Sequence, residues 1–190
     1  MRYHPDRHQR RSIRLEGFDY SQSGAYFVTL CAHDRRCYLG DAKAGFIELS
    51  PIGEIAKQFW SEIPIHFDNV TLDYFVVMPN HVHGVLLTSG IHNVGVQYIE
   101  PLRSQKLPRQ QHQYQKVIPK SIGSIIRSYK AAVTRWCRKN GYKDFRWQRN
   151  YHEHVIRNEH DLNEIREYIM NNPLKWELDK ENPKNWKTKF

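Results

Sequence analysis

Cysteine is scarce in this 190-residue sequence: Cys31, Cys37 and Cys137 are an odd number with no CxxC pair. That argues against a disulfide framework and a cysteine zinc site, and it fits a reducing, cytoplasmic setting. Long apolar runs are missing as well. The longest, Tyr74 to Met78, falls far short of the about 18 residues needed to span a membrane. The N-terminus is polar and arginine-rich, unlike a secretion signal, so no membrane partner is expected. No internal repeat is visible.

Acid is scarce where base is dense. From Arg103 to Trp147 twelve Lys or Arg stand against one acid, Asp144, an excess larger than the +9 of the whole chain. Clustered cations gain affinity for a phosphate backbone by releasing its condensed counterions, so a polyanion is the expected partner. A solvated basic surface is the competing explanation. What is abundant points to a folded chain: 39% hydrophobic and 13% aromatic residues are enough for one domain with a real core.

Residues 1–24 carry Arg2, Arg7, Arg10, Arg11 and Arg14 with few apolar anchors and read as a basic arm. One folded domain is expected over 25–178, interrupted by a mobile basic loop at about 90–118, and 179–190 read as a tail. Tyr26 to Ala32 is β-branched and aromatic, a first strand, with Phe46 to Leu49 as its hairpin mate. Pro51 starts a helix with an apolar stripe of Ile52, Ile55, Ala56, Phe59 and Ile63. Val70 to Met78 and His81 to Thr88 read as strands around a Pro79-Asn80 turn. From Ser121, the residues Ile122, Ile125, Ile126, Tyr129, Val133, Trp136 and Cys137 mark the clearest amphipathic helix. His152 to Arg157 suggests a further strand. Asp161, with Glu164 three residues on, suggests the capped start of a last helix that Pro173 ends or kinks. The order β, β, α, β, β, α, β, α implies an α+β, ferredoxin-like antiparallel sheet with helices packed on one face.

Two groups carry chemistry. His81 and His83 alternate with Val82 on a strand, so both imidazoles leave one face, half of a metal site or simply two polar strand residues. Tyr168 and Asn172 lie four apart and project from one side of a helix, setting a phenol and an amide toward a common place. A tyrosine at that spacing is equally a core or boundary anchor.

The runs VVMPNHVHGVLL (Val76 to Leu87) and WQRNYHEHVIRNEHDLNEIREYIMNNPLKW (Trp147 to Trp176) closely resemble the single-tyrosine HUH transposases, and specifically the REP-associated tyrosine transposases of bacteria. That resemblance, related to the IS200-like transposases, implies the HUH endonuclease fold. It implies that His81 and His83 hold a divalent cation, that Tyr168 is the attacking residue and that Asn172 stands where relatives place a third ligand, often glutamine. Two imidazoles and an amide suit Mn²⁺ and tolerate Mg²⁺. The implied substrate is single-stranded DNA beside a REP-type hairpin, cut and rejoined through a covalent 5′-phosphotyrosine. Monomeric and homodimeric members both exist in that resemblance, so either state is expected.

Phosphate contacts are expected from Arg10, Arg11 and Arg14 of the arm and from Lys120, Arg127, Lys130, Arg135 and Arg138. Tyr114, Tyr142, Phe145 and Trp147 are candidates for stacking on bases or for core packing. Two other readings compete: a ferredoxin-like hairpin DNA- or RNA-binding protein with weak or no cutting activity, and a metal-dependent phosphodiesterase that uses water.

Overall fold

The computed structural model describes residues 23–89 and 119–185. Arg10, Arg11, Arg14, Tyr114 and nearly all of the expected arm and basic loop therefore lie outside the described residues. Six strands and four helices follow in order: β1 (Gly24–Cys31), β2 (Gly40–Lys43), β3 (Phe46–Leu49), α1 (Pro51–Ser61), α2 (Ile63–His66), β4 (Val70–Val77), β5 (His81–Thr88), α3 (Ile122–Lys139), β6 (His152–Ile156) and α4 (Glu159–Asn171). The α+β class is as expected: four strands form an antiparallel sheet in the order β4-β5-β1-β6.

One strand pairing differs from the expectation. Phe46 to Leu49 is not the mate of β1 but pairs with β2 in a separate two-stranded ribbon. The ribbon turns through Ala44 and Gly45, both at positive φ, the geometry of a tight hairpin. β1 instead takes the two histidine-bearing strands as neighbours, with Thr29 opposite His83 on one side and His152 on the other.

Side-chain alternation splits the sheet into two faces. Tyr26, Val28, Leu30, Val82 and Leu86 point to one side and pack against Ile52, Ala56 and Trp60 of α1 and Ile122, Ile125, Ile126, Tyr129 and Val133 of α3. This is the main core. Ser50 and Ser121 cap the two helices, their hydroxyls accepting from Gly53 and Ser124 backbone N–H groups. α1 and α3 cover this face as expected, but the packing is not one-sided, because the apolar stripe of the last helix meets a second apolar patch on the reverse of the sheet. The other face, with Ala25, Val85 and Ile156, is covered by α4 through Ile169, with Leu162 and Ile165 at the margin.

α4 starts earlier than Asp161. Asn158 is its cap, accepting from the Asp161 N–H at 2.8 Å, while the Asp161 carboxylate is occupied by His154 and the Arg157 N–H. Asn172 keeps helical backbone angles, φ −60° and ψ −43°, so Pro173 stops the helix one residue later than its effect on a preceding residue would suggest. Among the described residues no helix is long and apolar enough to cross a membrane.

Candidate active site

The α4 face of the sheet carries the site. Strand β5 is central, and its alternation sends His81 and His83 to this face while Val82 enters the main core. Both imidazoles are buried, His81 completely and His83 to 2% exposure, and their ring centroids are 4.3 Å apart.

Hydrogen bonds fix the orientation of His81. Asn80 Nδ2 donates to the carbonyls of Arg35 (2.8 Å) and Glu181 (2.7 Å), so its Oδ1 is an acceptor toward His81 Nδ1 at 2.8 Å. His81 Nδ1 must therefore carry the proton, leaving a bare lone pair on Nε2. That nitrogen is buried without a hydrogen-bond partner. His83 Nδ1 meets Thr29 Oγ1 at 2.9 Å. An imidazole held through Nδ1 with Nε2 turned toward the site is the arrangement seen in metal-ligating histidines. Burial, then the neighbouring His83, holds the His81 pKa well below the ordinary value. Burial, followed by Lys180 and His152, lowers that of His83 to about 3. Both rings are neutral at pH 7, the state a cation requires.

α4 brings the phenol. Tyr168 Oη lies 3.3 Å from His83 Nε2, and the two rings meet edge-on with Phe27 beside them. The Tyr168 pKa is raised, by burial first and then by Asp179, while the Asn172 side chain opposes the rise. The phenol is protonated at neutral pH. Asn172 is buried, and its Oδ1 has no hydrogen-bond partner. The nucleophile candidate, the histidine pair and the amide expected from sequence thus share one locality.

A fork holds the helix there. Arg166, two residues before Tyr168, donates from Nε and Nη2 to the two carboxylate oxygens of Asp73 at 2.9 and 2.6 Å. Its guanidinium also sits 5.7 Å from the Tyr74 ring. Asp73 and Tyr74 occupy the register shift of β4 between Leu72 and Phe75, and such a bulge re-aims side chains.

Residues 179–190 read from sequence only as a tail, yet the part of it that is described supplies acidic groups. Asp179 Oδ2 lies 3.9 Å from His81 Nε2 with its side chain 5% exposed. Ligand atoms of His81, His83 and Asp179 all fall within 4.8 Å of one another. Glu181 pairs with Arg35 Nε at 2.8 Å and accepts from the Cys31 thiol at 3.7 Å. Burial and Glu181 push the Cys31 pKa up to about 12, which makes the thiol inert. Nothing in the local sequence pattern marks Asp179, because its approach depends on the chain folding back across the sheet end.

Beside Tyr168 opens a cleft of about 560 Å³ whose walls include Phe27, Tyr151, Ile165, His152, His154 and Lys180. The second histidine pair, His152 and His154, thus faces the same side as the first. His154 Nε2 bonds the Asp161 carboxylate at 2.9 Å.

Among the described residues, the cations expected to bind DNA lie elsewhere. Arg127, Arg135 and Arg138 are exposed on α3, across the sheet from the tyrosine. Lys120 pairs with Asp68 at 2.7 Å. Lys130 is structural here: its Nζ donates to the carbonyls of Gln148 (2.6 Å) and Asn150 (3.0 Å), and burial lowers its pKa to about 8. The cations lining the cleft are Arg35 and Lys180, which the sequence reading did not select. Phe145 and Trp147 belong to the core, whereas Tyr142 is exposed and stacked on Trp136.

No family model matches the chain. A protein of Haemophilus influenzae with no ascribed activity is 42% identical over 182 residues, covering 94% of this chain and 96% of its own length. A second protein of that organism, assigned by name to the REP-associated tyrosine transposases, is 26% identical over 161 residues, 83% of this chain and 74% of its own. A solved structure of a REP-associated tyrosine transposase bound to a REP hairpin superposes with a TM-score of 0.58 at 20% identity, covering 90% of this chain and 77% of the other. At that identity the likeness establishes a common fold.

Proposed function

We propose that the chain is a REP-associated tyrosine transposase, like the named relative and the solved structure it resembles, and that it is a divalent-cation-dependent endonuclease and strand transferase acting on single-stranded DNA beside a hairpin. The observation that carries this reading is the 3.3 Å approach of Tyr168 Oη to His83 Nε2, within a face where both imidazoles are neutral and buried. The donor set fits a cation: His81 Nε2 and Asn172 Oδ1 are buried acceptors without protein donors, and unpaired buried acceptors are costly unless something satisfies them.

His81, His83 and Asn172 would hold the cation. When bound, Mn²⁺ or Mg²⁺ supplies positive charge at the scissile phosphate and makes its phosphorus more electrophilic. Tyr168 is the nucleophile in this reading. Its oxygen forms the bond to phosphorus as the bond to the 3′-oxygen breaks. The proton lost by the phenol is matched by one gained by the leaving oxygen, and the products are a 5′-phosphotyrosine and a free 3′-OH. One phosphodiester replaces another, so a second 3′-OH can reverse the step without ATP. α4 holds the phenol in place through the Arg166–Asp73 fork. Phe27, Tyr151 and Ile165 offer an apolar wall for an unpaired base, with Lys180 at the rim for phosphate. Arg127, Arg135 and Arg138 serve a more distant part of the DNA, because α3 covers the opposite face.

The test is an adduct assay. With a labelled hairpin oligonucleotide and Mn²⁺, the protein should yield a band that survives denaturation. Tyr168→Phe should abolish that band and retain hairpin binding. Cleavage by Tyr168→Phe at the wild-type rate would remove the nucleophile assignment, and products without an adduct would point to water as the attacking group. Binding with neither cut nor adduct would mark a binding protein instead.

A further inference from the structure

We propose that Asp179, from the segment that follows α4, is a further protein ligand of the cation held by His81 and His83. This assignment rests on the metal-dependent reading above and adds a residue that neither the strand motif nor the tyrosine helix contains.

The argument is one of lone pairs. The Asn80 amide donates both its nitrogen contacts to carbonyls, so its oxygen faces His81 Nδ1, and His81 Nε2 is left as an acceptor. An Asp179 carboxylate oxygen lies 3.9 Å from that acceptor. A neutral imidazole lone pair and a carboxylate oxygen repel each other when they face across a dry gap. A cation between them turns the repulsion into two bonds. The spacing suits one: ligands about 2.1 Å from an octahedral hard cation lie about 3.0 Å apart when adjacent and about 4.2 Å apart when opposite. The observed 3.9 Å falls inside that range, and ligand atoms of His81, His83 and Asp179 all lie within 4.8 Å of one another.

Charge supports the same assignment. Two imidazoles and an amide leave a buried dication uncompensated, which is unfavourable in a site this dry, whereas one carboxylate halves the net charge and is the preferred donor of hard cations. The carboxylate is also held for the task. Its other oxygen accepts from the Glu181 N–H at 2.6 Å. The following turn is fastened beside the sheet by Asn80 donating to the Glu181 carbonyl and by the Glu181–Arg35 pair, and it is braced internally by Asn182 Nδ2 donating to the Trp176 carbonyl at 3.0 Å. Asn80, immediately before the strand motif, therefore fixes both the free nitrogen of His81 and the chain that carries Asp179.

The experiment is a Mn²⁺ titration of the full chain without DNA, read by the loss of the free-ion electron paramagnetic resonance signal. Asp179→Asn should weaken Mn²⁺ affinity by about tenfold or more. Asp179→Glu should recover part of that loss by restoring a carboxylate. Thermal denaturation of the metal-free Asp179→Asn protein should match wild type, which separates loss of a ligand from loss of the fold. If Asp179→Asn binds Mn²⁺ within twofold of wild type while His83→Ala does not bind, the assignment of Asp179 is wrong and the histidine site stands. Wild-type protein that binds no Mn²⁺ would overturn both. Failure of the nucleophile assignment shows separately, as an unchanged adduct with Tyr168→Phe.

Discussion

Gly84→Ala should be among the most damaging single substitutions in this protein. Gly84 follows His83 on the central strand, and a methyl group at its Cα would lie 2.2 Å from Trp60 Cζ2 and 2.8 Å from Cε2. No carbon pair tolerates such a distance. The indole cannot retreat easily, being fully buried, stacked on Phe75 at 6.0 Å and edge-on to Tyr129 at 5.2 Å. Overpacking a filled core costs typically about 1–3 kcal/mol, and a clash with a rigid ring belongs at the upper end, about 3 kcal/mol. In a chain of this size about 1 kcal/mol lowers Tm by about 2–4 °C, so circular dichroism melting should report a fall of about 6–12 °C. Trp60→Phe in the same chain should restore part of the loss, because the smaller ring vacates the contested space. A Gly84→Ala protein melting within 2 °C of wild type, or a double variant whose losses simply add, would refute the close-approach argument.

Two further outcomes follow from the site. The fork between Arg166 and Asp73 is partly exposed, so Arg166→Lys, which retains charge and loses the two-pronged geometry, should cost about 1 kcal/mol; a double-mutant cycle with Asp73→Asn that returns no coupling would disprove the clamp. The metal-free protein should also lose stability as pH falls. His81 and His83 stay neutral in the fold because their pKa values are depressed, whereas the unfolded chain takes up protons near pH 6.5. Stability is therefore full above that pH and declines below it, by about 1.4 kcal/mol per histidine at pH 5.5. Urea denaturation at pH 7.5 and 5.5 should show a smaller decline for a His81→Gln/His83→Gln variant, and equal declines would count against buried neutral histidines.

The elements written in local pattern were legible. The α3 stripe from Ile122 to Cys137 and the alternation of β5 were readable because burial imposes a period on a contiguous stretch. Pairing was not: Phe46 to Leu49 has strand character, yet which partner it takes depends on the short ribbon at Gly40 to Lys43, whose composition is unremarkable. The face covered by α4 was missed because its apolar stripe is the same whichever side it covers. His81, His83, Tyr168 and Asn172 were singled out by their spacing together with the resemblance to the transposases, and the fold sets the phenol of Tyr168 beside the histidine pair. Asp179, Arg35 and Lys180 were not singled out, since they reach the cleft by tertiary folding alone. Lys130 shows the converse: a lysine in a basic tract looks like a phosphate contact until its ammonium is found bonded to two carbonyls.

The two faces of the sheet are unequally cemented. One is sealed by a continuous aromatic and aliphatic core, while α4 rests chiefly on Ile169 over Ala25, Val85 and Ile156 and on one part-buried ion pair. A layer with so little apolar glue opens at lower free energy than the rest of the domain. The tyrosine is therefore mounted on the part of the molecule that can peel away and reseat without melting the scaffold, so amide hydrogens of this helix should exchange well before those of the histidine strand.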